Sequence, residues 1–532
     1  MRIISLAIVF LTLFVVPVWA QKTVELQKGA GRLIGGVKNG ERIERVIDNV
    51  VFKQNTTTIY CDSAWFYRSK NMVEAFGRVR IVEGDSITIT ARHLEYDGNT
   101  KKAKLRNNVV FTKLATAKLF TDFLDYDRMI NEARYFNGGK LVDSINTLVS
   151  RKGYYDATSN LASFKRNVKV TNPDYTMDSD SLQYNSRTKI IYFVTETKVI
   201  NKDSSTFVYK SGLYNTITRT SDLREGVGQS LNYDIVGITY DIDDLRKVYK
   251  VRGDVSMTSK EENLTIYGQK VDLYKLKNIA KVYDRAYVAK VTEEGDTLFM
   301  TADTLVSIDD VDPKKKRLLA YHNVKIFKRD LQGKADSLEY RSADSTLYFY
   351  KDPVLWTDGN QMTADSISML IQNNTISKIF LDVNSFVISQ DTASRSDNFN
   401  QIKGRKMIAD FRGGKLSKVF VNGNGESIYF AVDEKTRLLT GMNNVLCSNI
   451  IIRFKDGKVN NINFIKQPDG NFIPPHELKE ENTRLTNFKW RIEERPTRKD
   501  VIKELPKETE IKTPEQEMIP AKRKQTVKRA KS

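Results

Sequence analysis

Few residues in this chain are able to do chemistry, and their spacing does not assemble a reactive centre. The three histidines, His93, His322 and His476, stand far apart in the 532 residues. No His-Glu-x-x-His, Gly-x-Ser-x-Gly or phosphate-binding Gly-x-x-x-x-Gly-Lys pattern occurs. His93 occupies a place that Phe123 fills one repeat later, so packing or a surface role is expected of it. His322 falls in a turn, and His476 precedes a predicted helix. Asp243-Asp244 and Asp309-Asp310 would hold a cation weakly, but they lack the register of a calcium loop and read as solvated turns. Two cysteines, Cys61 and Cys447, are too few for a disulfide scaffold or a four-thiolate zinc site. They lie near opposite ends of a repeat array and are expected as unpaired, buried thiols. No catalytic residue, metal ligand or cofactor site is expected.

The elements that carry these residues are strands. The chain is 40% hydrophobic and rich in Tyr and Phe (24 and 25), with only 11 Pro, which excludes disorder throughout and favours extended structure. A short motif recurs: a small or polar pair, an apolar residue, one residue, then Tyr. Its column runs Tyr67, Tyr96, Tyr126, Tyr155, Tyr184, Tyr214, Tyr240, Tyr274, Ser307, Tyr340, Met369, in steps of 26 to 34 residues, with looser copies near Ala409 and Ile452. After each column residue come turn formers and an alternating run, such as Asn107-Asn108-Val109-Val110-Phe111, Arg166-Asn167-Val168-Lys169-Val170 and His322-Asn323-Val324-Lys325-Ile326. Alternation with period two marks a half-buried strand. Each repeat therefore reads as strand, turn, strand, turn, strand. Such units bury a continuous core only by stacking.

The series "A-D-S-L-x-Y", turn, "N-V-x-V/I" resembles the OstA/LptA family of lipopolysaccharide-transport proteins. Ala91-Arg92-His93-Leu94-Glu95-Tyr96 with Asn108-Val109, and Ala335-Asp336-Ser337-Leu338-Glu339-Tyr340 with Val354, carry the resemblance, which extends over about residues 40–460. It implies an all-β, elongated β-jellyroll or "β-taco" solenoid. The apolar groove of such a body shields acyl chains while sugar and phosphate groups stay in water. It also implies end-to-end sheet stacking on other lipopolysaccharide-transport components. The chain differs from small members of that family in having more repeats and a long charged tail.

The termini read differently. Residues 1–20 have the three-part pattern of a cleaved export signal, ending Val18-Trp19-Ala20. Residues 21–39 are a lead-in, followed by repeats over 40–250 and 251–473. Residues 474–494 are expected as a short capping helix, with Leu478, Leu485 and Phe488 at helical spacing. A disordered basic tail is expected over 495–532, whose last eleven residues hold six basic groups and no acid. The formal charge is 85 − 66 = +19. On an exported chain that excess suits anionic glycolipid or a membrane surface rather than nucleic acid. Past the export signal, no stretch is long and apolar enough to span a membrane as a helix.

The function expected is a periplasmic binding and bridging protein for lipopolysaccharide or a related anionic glycolipid. Its groove would be lined by Val79, Ile81, Val109, Phe111, Val168, Val170, Val324 and Ile326. Two other classes remain: a structural or adhesive solenoid with a dry interior, and a β-helical glycan-active enzyme using a turn aspartate.

Overall fold

The computed structural model describes residues 23–502 apart from 85–86, 114–116, 144, 231, 293–294, 358, 374, 391–397, 414, 434 and 456–457. The export signal and most of the basic tail lie outside the described residues. The chain forms two compact units. One extends to Leu231 and includes Tyr240–Leu245; the other comprises Asn232–Thr239 and everything from Arg246. Both are built from antiparallel strands.

The repeat is two bent strands rather than three straight ones. In the first unit, strands such as Met72–Glu83 and Ile87–Asp97 pair along their whole length except at a register shift in the middle. That shift is a corner, and it folds each hairpin into two leaves. Leaf A carries the tyrosines; leaf B carries the Val-x-Val runs. The expected turn before Val109 is this corner: Asn107 and Asn108 both take positive φ, at 65° and 53°, inside one continuous strand. Arg166-Asn167 and His322-Asn323 do the same. Two successive left-handed residues reverse the pleat and bend the sheet, which Asn tolerates better than most side chains.

The motif aspartate secures the corner of the neighbouring strand. Asp62 accepts from the backbone N–H of Arg78 at 2.9 Å, and Asp122 from that of Asn108 at 3.1 Å. Asp303 and Asp365 accept from the side-chain amides of Asn323 (2.8 Å) and Asn384 (3.0 Å). Asp336 lies 3.2 Å from Nδ1 of His322. The aspartates thus recur with the repeat because every corner exposes donors that need an acceptor. At the hairpin ends of leaf A, Asp97, Asp127, Asp156, Asn185 and Asn215 each cap their own turn, accepting from the N–H two residues on at 2.8–3.0 Å.

The tyrosine column is a cross-strand ladder. Tyr96, Ala103, Tyr126, Ala133, Tyr155, Ala162, Tyr184, Ile191 and Tyr214 are successive register partners. A large ring alternates with a smaller residue, and the rings interdigitate. In the second unit the ladder runs Ser307, Leu318, Tyr340, Leu347, Met369, Ile379, Ala409, Val419, Ile452. The column positions Tyr67 and Tyr274 need correction. Phe66, not Tyr67, pairs with Val73 on the Tyr96 ladder, because buried Ala64 and Phe66 set the parity and put Tyr67 on the outer face. Likewise Leu273, not Tyr274, reaches Ser307 through Ala280.

The capping helix over 474–494 is not formed. The segment makes only single 3-10 turns at Pro475–Glu477, Glu480–Asn482 and Ile492–Glu494, joined by extended chain. From the last strand, whose Ile473 packs on the cluster that receives Leu485, the segment turns back as a strap along the outer face of leaf B. There one ladder reads Phe299, Phe327, Gln332, Trp356, Gln361, Ile388, Gln401, Ile428. Gln401 donates to the Thr483 carbonyl at 2.8 Å and accepts from Leu485 N–H at 2.8 Å. Gln361 does the same for Lys489 and Arg491, both at 2.7 Å. Gln332 accepts from Nε of Arg495 at 2.7 Å. These bonds engage backbone groups that an α-helix would use internally, which is why no helix forms. The strap ends in a short helix, Arg498–Val501, with Thr497 and Asp500 as its capping box. Residues 495–502, expected as tail, are therefore docked, with Arg498 stacked 5.4 Å from the Phe299 ring centre.

Both cysteines are buried and unpaired. Burial pushes the Cys61 thiol up to about 12.

Candidate functional site

The two leaves face each other across an apolar interior. In the first unit leaf B presents the ladder Ile59, Ile81, Ile89, Phe111, Leu119, Leu141, Leu148, Val170, Met177. Aromatic contacts bridge the leaves: Phe111 lies 6.2 Å from Tyr126 and 5.8 Å from Tyr155 between ring centres. Three of the sequence-predicted residues, Ile81, Phe111 and Val170, thus share one ladder. Val79, Val109 and Val168 occupy the adjacent inward positions, opposite Ala91, Thr121 and Ser179. In the second unit Val324 and Ile326 face inward opposite Ala335 and Gly333. All eight are buried.

Burial is not the same as lining open space. The first unit holds a cavity of about 450 Å³ between Phe111, Leu119, Leu141, Phe164, Tyr155 and Tyr184. The second holds one of about 510 Å³, reaching from Met257 and Leu273 to Met300, Ile326, Tyr340 and Leu347. Of the eight predicted residues, Phe111 and Ile326 line these cavities; the other six are buried without lining them. The tyrosine ladder borders both, at Tyr155, Tyr184 and Tyr340.

The mouth between the leaf edges is crossed by polar clasps that sequence reasoning missed. Gln54 on the B edge donates to the Gly98 carbonyl on the A edge at 2.8 Å. Glu83 pairs with Arg128, Nε to Oε2 at 2.7 Å. Lys113 donates to the Ala157 carbonyl at 2.7 Å and to Asn160 Oδ1 at 2.9 Å. Asp174 pairs with Arg219 at 2.9 Å. In the second unit Asn232 donates to Asp309 at 3.3 Å, and Lys316 lies 3.8 Å from Glu261. A signal was available: Gln54, Glu83 and Lys113 recur at the repeat spacing, as do Gly98, Arg128 and Ala157.

Of the clasps that pair two charges, Glu83–Arg128 is the most buried. Arg128 also donates to Tyr96 Oη at 2.8 Å, and that hydroxyl donates to Gln54 Oε1 at 2.5 Å. Thr56 donates to Glu83 at 2.7 Å, and Thr57 bonds it as well. Burial alone would push the Glu83 carboxyl up; its bonds to Arg128, Thr57 and Thr56 outweigh that and hold it below the usual range.

The other chemistry-bearing residues serve packing and turns. His93 lies on the outer face, 3.3 Å from Glu74 and 5.1 Å from the Phe76 ring, on the ladder that Arg106 continues to Phe123. Asp309 accepts from Asn232 and lies 3.2 Å from Lys316. Among the described residues no cluster of His, Cys, Asp and Glu is placed to hold a metal, and no helix is long and apolar enough to cross a membrane.

Two family models match the chain. Residues 23–180 match OstA-like protein, and residues 234–375 match the LptA/(LptD N-terminal domain) lipopolysaccharide transport protein family. No curated protein matches. Among solved structures, the chain is similar to LptH, the LptA-homologous periplasmic component of the lipopolysaccharide transport device of Pseudomonas aeruginosa. That likeness has 17% identity and a TM-score of 0.20, over 22% of this chain and 80% of the other.

Proposed function

This chain is an OstA/LptA-like protein, of a family of periplasmic lipopolysaccharide-transport proteins, and from that premise we propose that it binds lipopolysaccharide or a related anionic glycolipid as a passive carrier. The acyl chains lie in the apolar interior, and the sugar and phosphate groups stay at the mouth. The observation that carries this reading is the pair of apolar cavities, one in each unit, bordered by the tyrosine ladder and reaching the polar residues of the leaf edges. Phe111 and Ile326 meet the cargo; Val79, Ile81, Val109, Val168, Val170 and Val324 are buried on the same inner faces. The pattern of Met1–Ala20 supports export, and work along the route to the outer membrane follows from the family.

Partner components add at the sheet ends. Among the described residues the strand Arg32–Lys38 pairs on one side only, and it exposes Leu33, Ile34 and Val37. An unpaired edge with apolar side chains is a template for a further strand.

Displacement of a fluorescent fatty acid by a series of acyl ligands tests the carrier reading. Affinity is expected to rise by ~0.8 kcal/mol per added CH₂ until the cavity is full. Affinity independent of chain length contradicts it. A structural body with a dry interior is the second reading. It is favoured for the first rungs, where Ile59, Ile81 and Ile89 are packed beneath the Gln54 and Glu83 clasps.

A further inference from the structure

We infer that the mouth of the first unit contains one discrete head-group site, where the series of clasps is interrupted, and that it takes an anionic amphiphile. This rests on the carrier reading and narrows it: the cargo's charged group is held at one rung and does not slide along the whole edge.

The B-edge clasp residues are Gln54, Glu83, Lys113 and Asp174. The steps are one repeat, one repeat, then two. The missing member falls at Asp143, and its A-edge counterpart at Lys189, between Asn160 and Arg219. Asp143 does not reach across. Its carboxylate caps its own turn, accepting from the N–H groups of Ile145 at 3.0 Å and Asn146 at 2.7 Å. Among the described residues, neither Lys189 nor Arg187 beside it has a carboxylate partner. Both cations line the 450 Å³ cavity.

A third group points to a ligand. Tyr184, only 6% exposed, lines the same cavity, and its hydroxyl has no hydrogen-bond partner among the described residues. Its ring centre lies 6.0 Å from Lys189 Nζ. A buried hydroxyl left without an acceptor is costly and rare. A phosphate or carboxylate oxygen placed there would accept from Tyr184 and meet both cations. The hydrocarbon would run inward along Phe111, Leu119, Leu141 and Phe164. Outside the gap, exposed Phe120, Ile145 and Ile217 border a surface depression that Tyr184 and Lys189 also line. The cavity thus continues outward only where no clasp crosses. On either side, Lys113–Asn160 and Asp174–Arg219 bar lateral movement of a bulky head group.

The test uses the full chain and three probes of equal chain length: a lysophosphatidate, a fatty acid and a neutral monoacylglycerol. Both anions are expected to bind at least about tenfold tighter than the neutral probe, through charge-assisted bonds. Arg187→Glu/Lys189→Glu should erase that preference by weakening both anions at least about tenfold more than monoacylglycerol. Inorganic phosphate at equal concentration should not displace the lipids. Leu141→Trp, which fills the cavity without altering charge, should weaken all three probes by at least about tenfold. An anion preference that is absent, or that survives the double substitution, overturns the site while leaving the apolar interior intact. Displacement by inorganic phosphate instead assigns a free-anion site and overturns the amphiphile. Failure of every probe to bind overturns the carrier reading and this site together.

Discussion

Arg128→Ala is expected to destabilise the first unit by about 3–5 kcal/mol at neutral pH, because it leaves a buried carboxylate without its counter-ion. The Arg128 side chain is 8% exposed and that of Glu83 19%, so water replaces little of the lost partner. Tyr96 Oη would lose the 2.8 Å bond from Arg128 as well. The sign of the pH dependence is diagnostic. In the native protein Glu83 is held below the usual glutamate range. Its contribution is therefore present above the unfolded pKa and is lost as pH falls through the folded value. Without Arg128, burial, the largest influence on Glu83, is left opposed only by the threonines. The deficit of the variant should then shrink as the medium is acidified and Glu83 takes up a proton. Urea unfolding at about pH 7 and about pH 4, read by hydrogen exchange over residues 54–128, checks both magnitude and sign. A variant equal to the parent at neutral pH would remove the clasp from the account of the closed rungs.

Leu485→Ala is expected to release the strap at a cost of about 2–3 kcal/mol, the range for emptying a leucine site in an apolar cluster. Leu485 packs into Phe386, Ile388, Phe399, Ile428, Phe430 and Met442, with Leu478, Phe488 and Trp490 around it. The strap crosses the sheet as one layer, so its release should precede unfolding of the strands beneath. Limited proteolysis between residues 478 and 495 should accelerate, and an apolar dye should bind the exposed Trp356–Ile388–Ile428 face. Leu485→Met, which keeps the volume, should behave much like the parent. Equal protection in all three proteins would mean that the glutamine ladder alone holds the strap.

How far these features could be read from sequence depends on the period that encodes them. Alternation of inward residues has period two, and it placed Val79, Ile81, Val109, Phe111, Val168, Val170, Val324 and Ile326 on inner faces. The tyrosine column was legible because a ring and a small residue must alternate across the ladder. It slipped by one at Tyr67 and Tyr274, where Phe66 and Leu273 offer an equally apolar neighbour and composition alone does not fix parity. Corners looked like turns because the same left-handed residues serve both; only pairing on either side shows one strand running through. The clasps escaped notice because each joins residues more than forty positions apart. The strap was mistaken for a helix because Leu478, Leu485 and Phe488 fit a helical face. The contrary sign lay in the strands: Trp356 beside Leu355, Ile388 beside Val387 and Phe430 beside Tyr429 leave no wholly polar face. Such strands are covered on both sides.

Photocrosslinking in cells locates the cargo, with a probe at Leu141, on the cavity wall, and a control at Arg80, on the exposed outer face of leaf B. Glycolipid adducts at position 141 with few or none at position 80 are predicted. Adducts at position 80 alone, with none at position 141, would contradict a carrier whose cargo lies between the leaves.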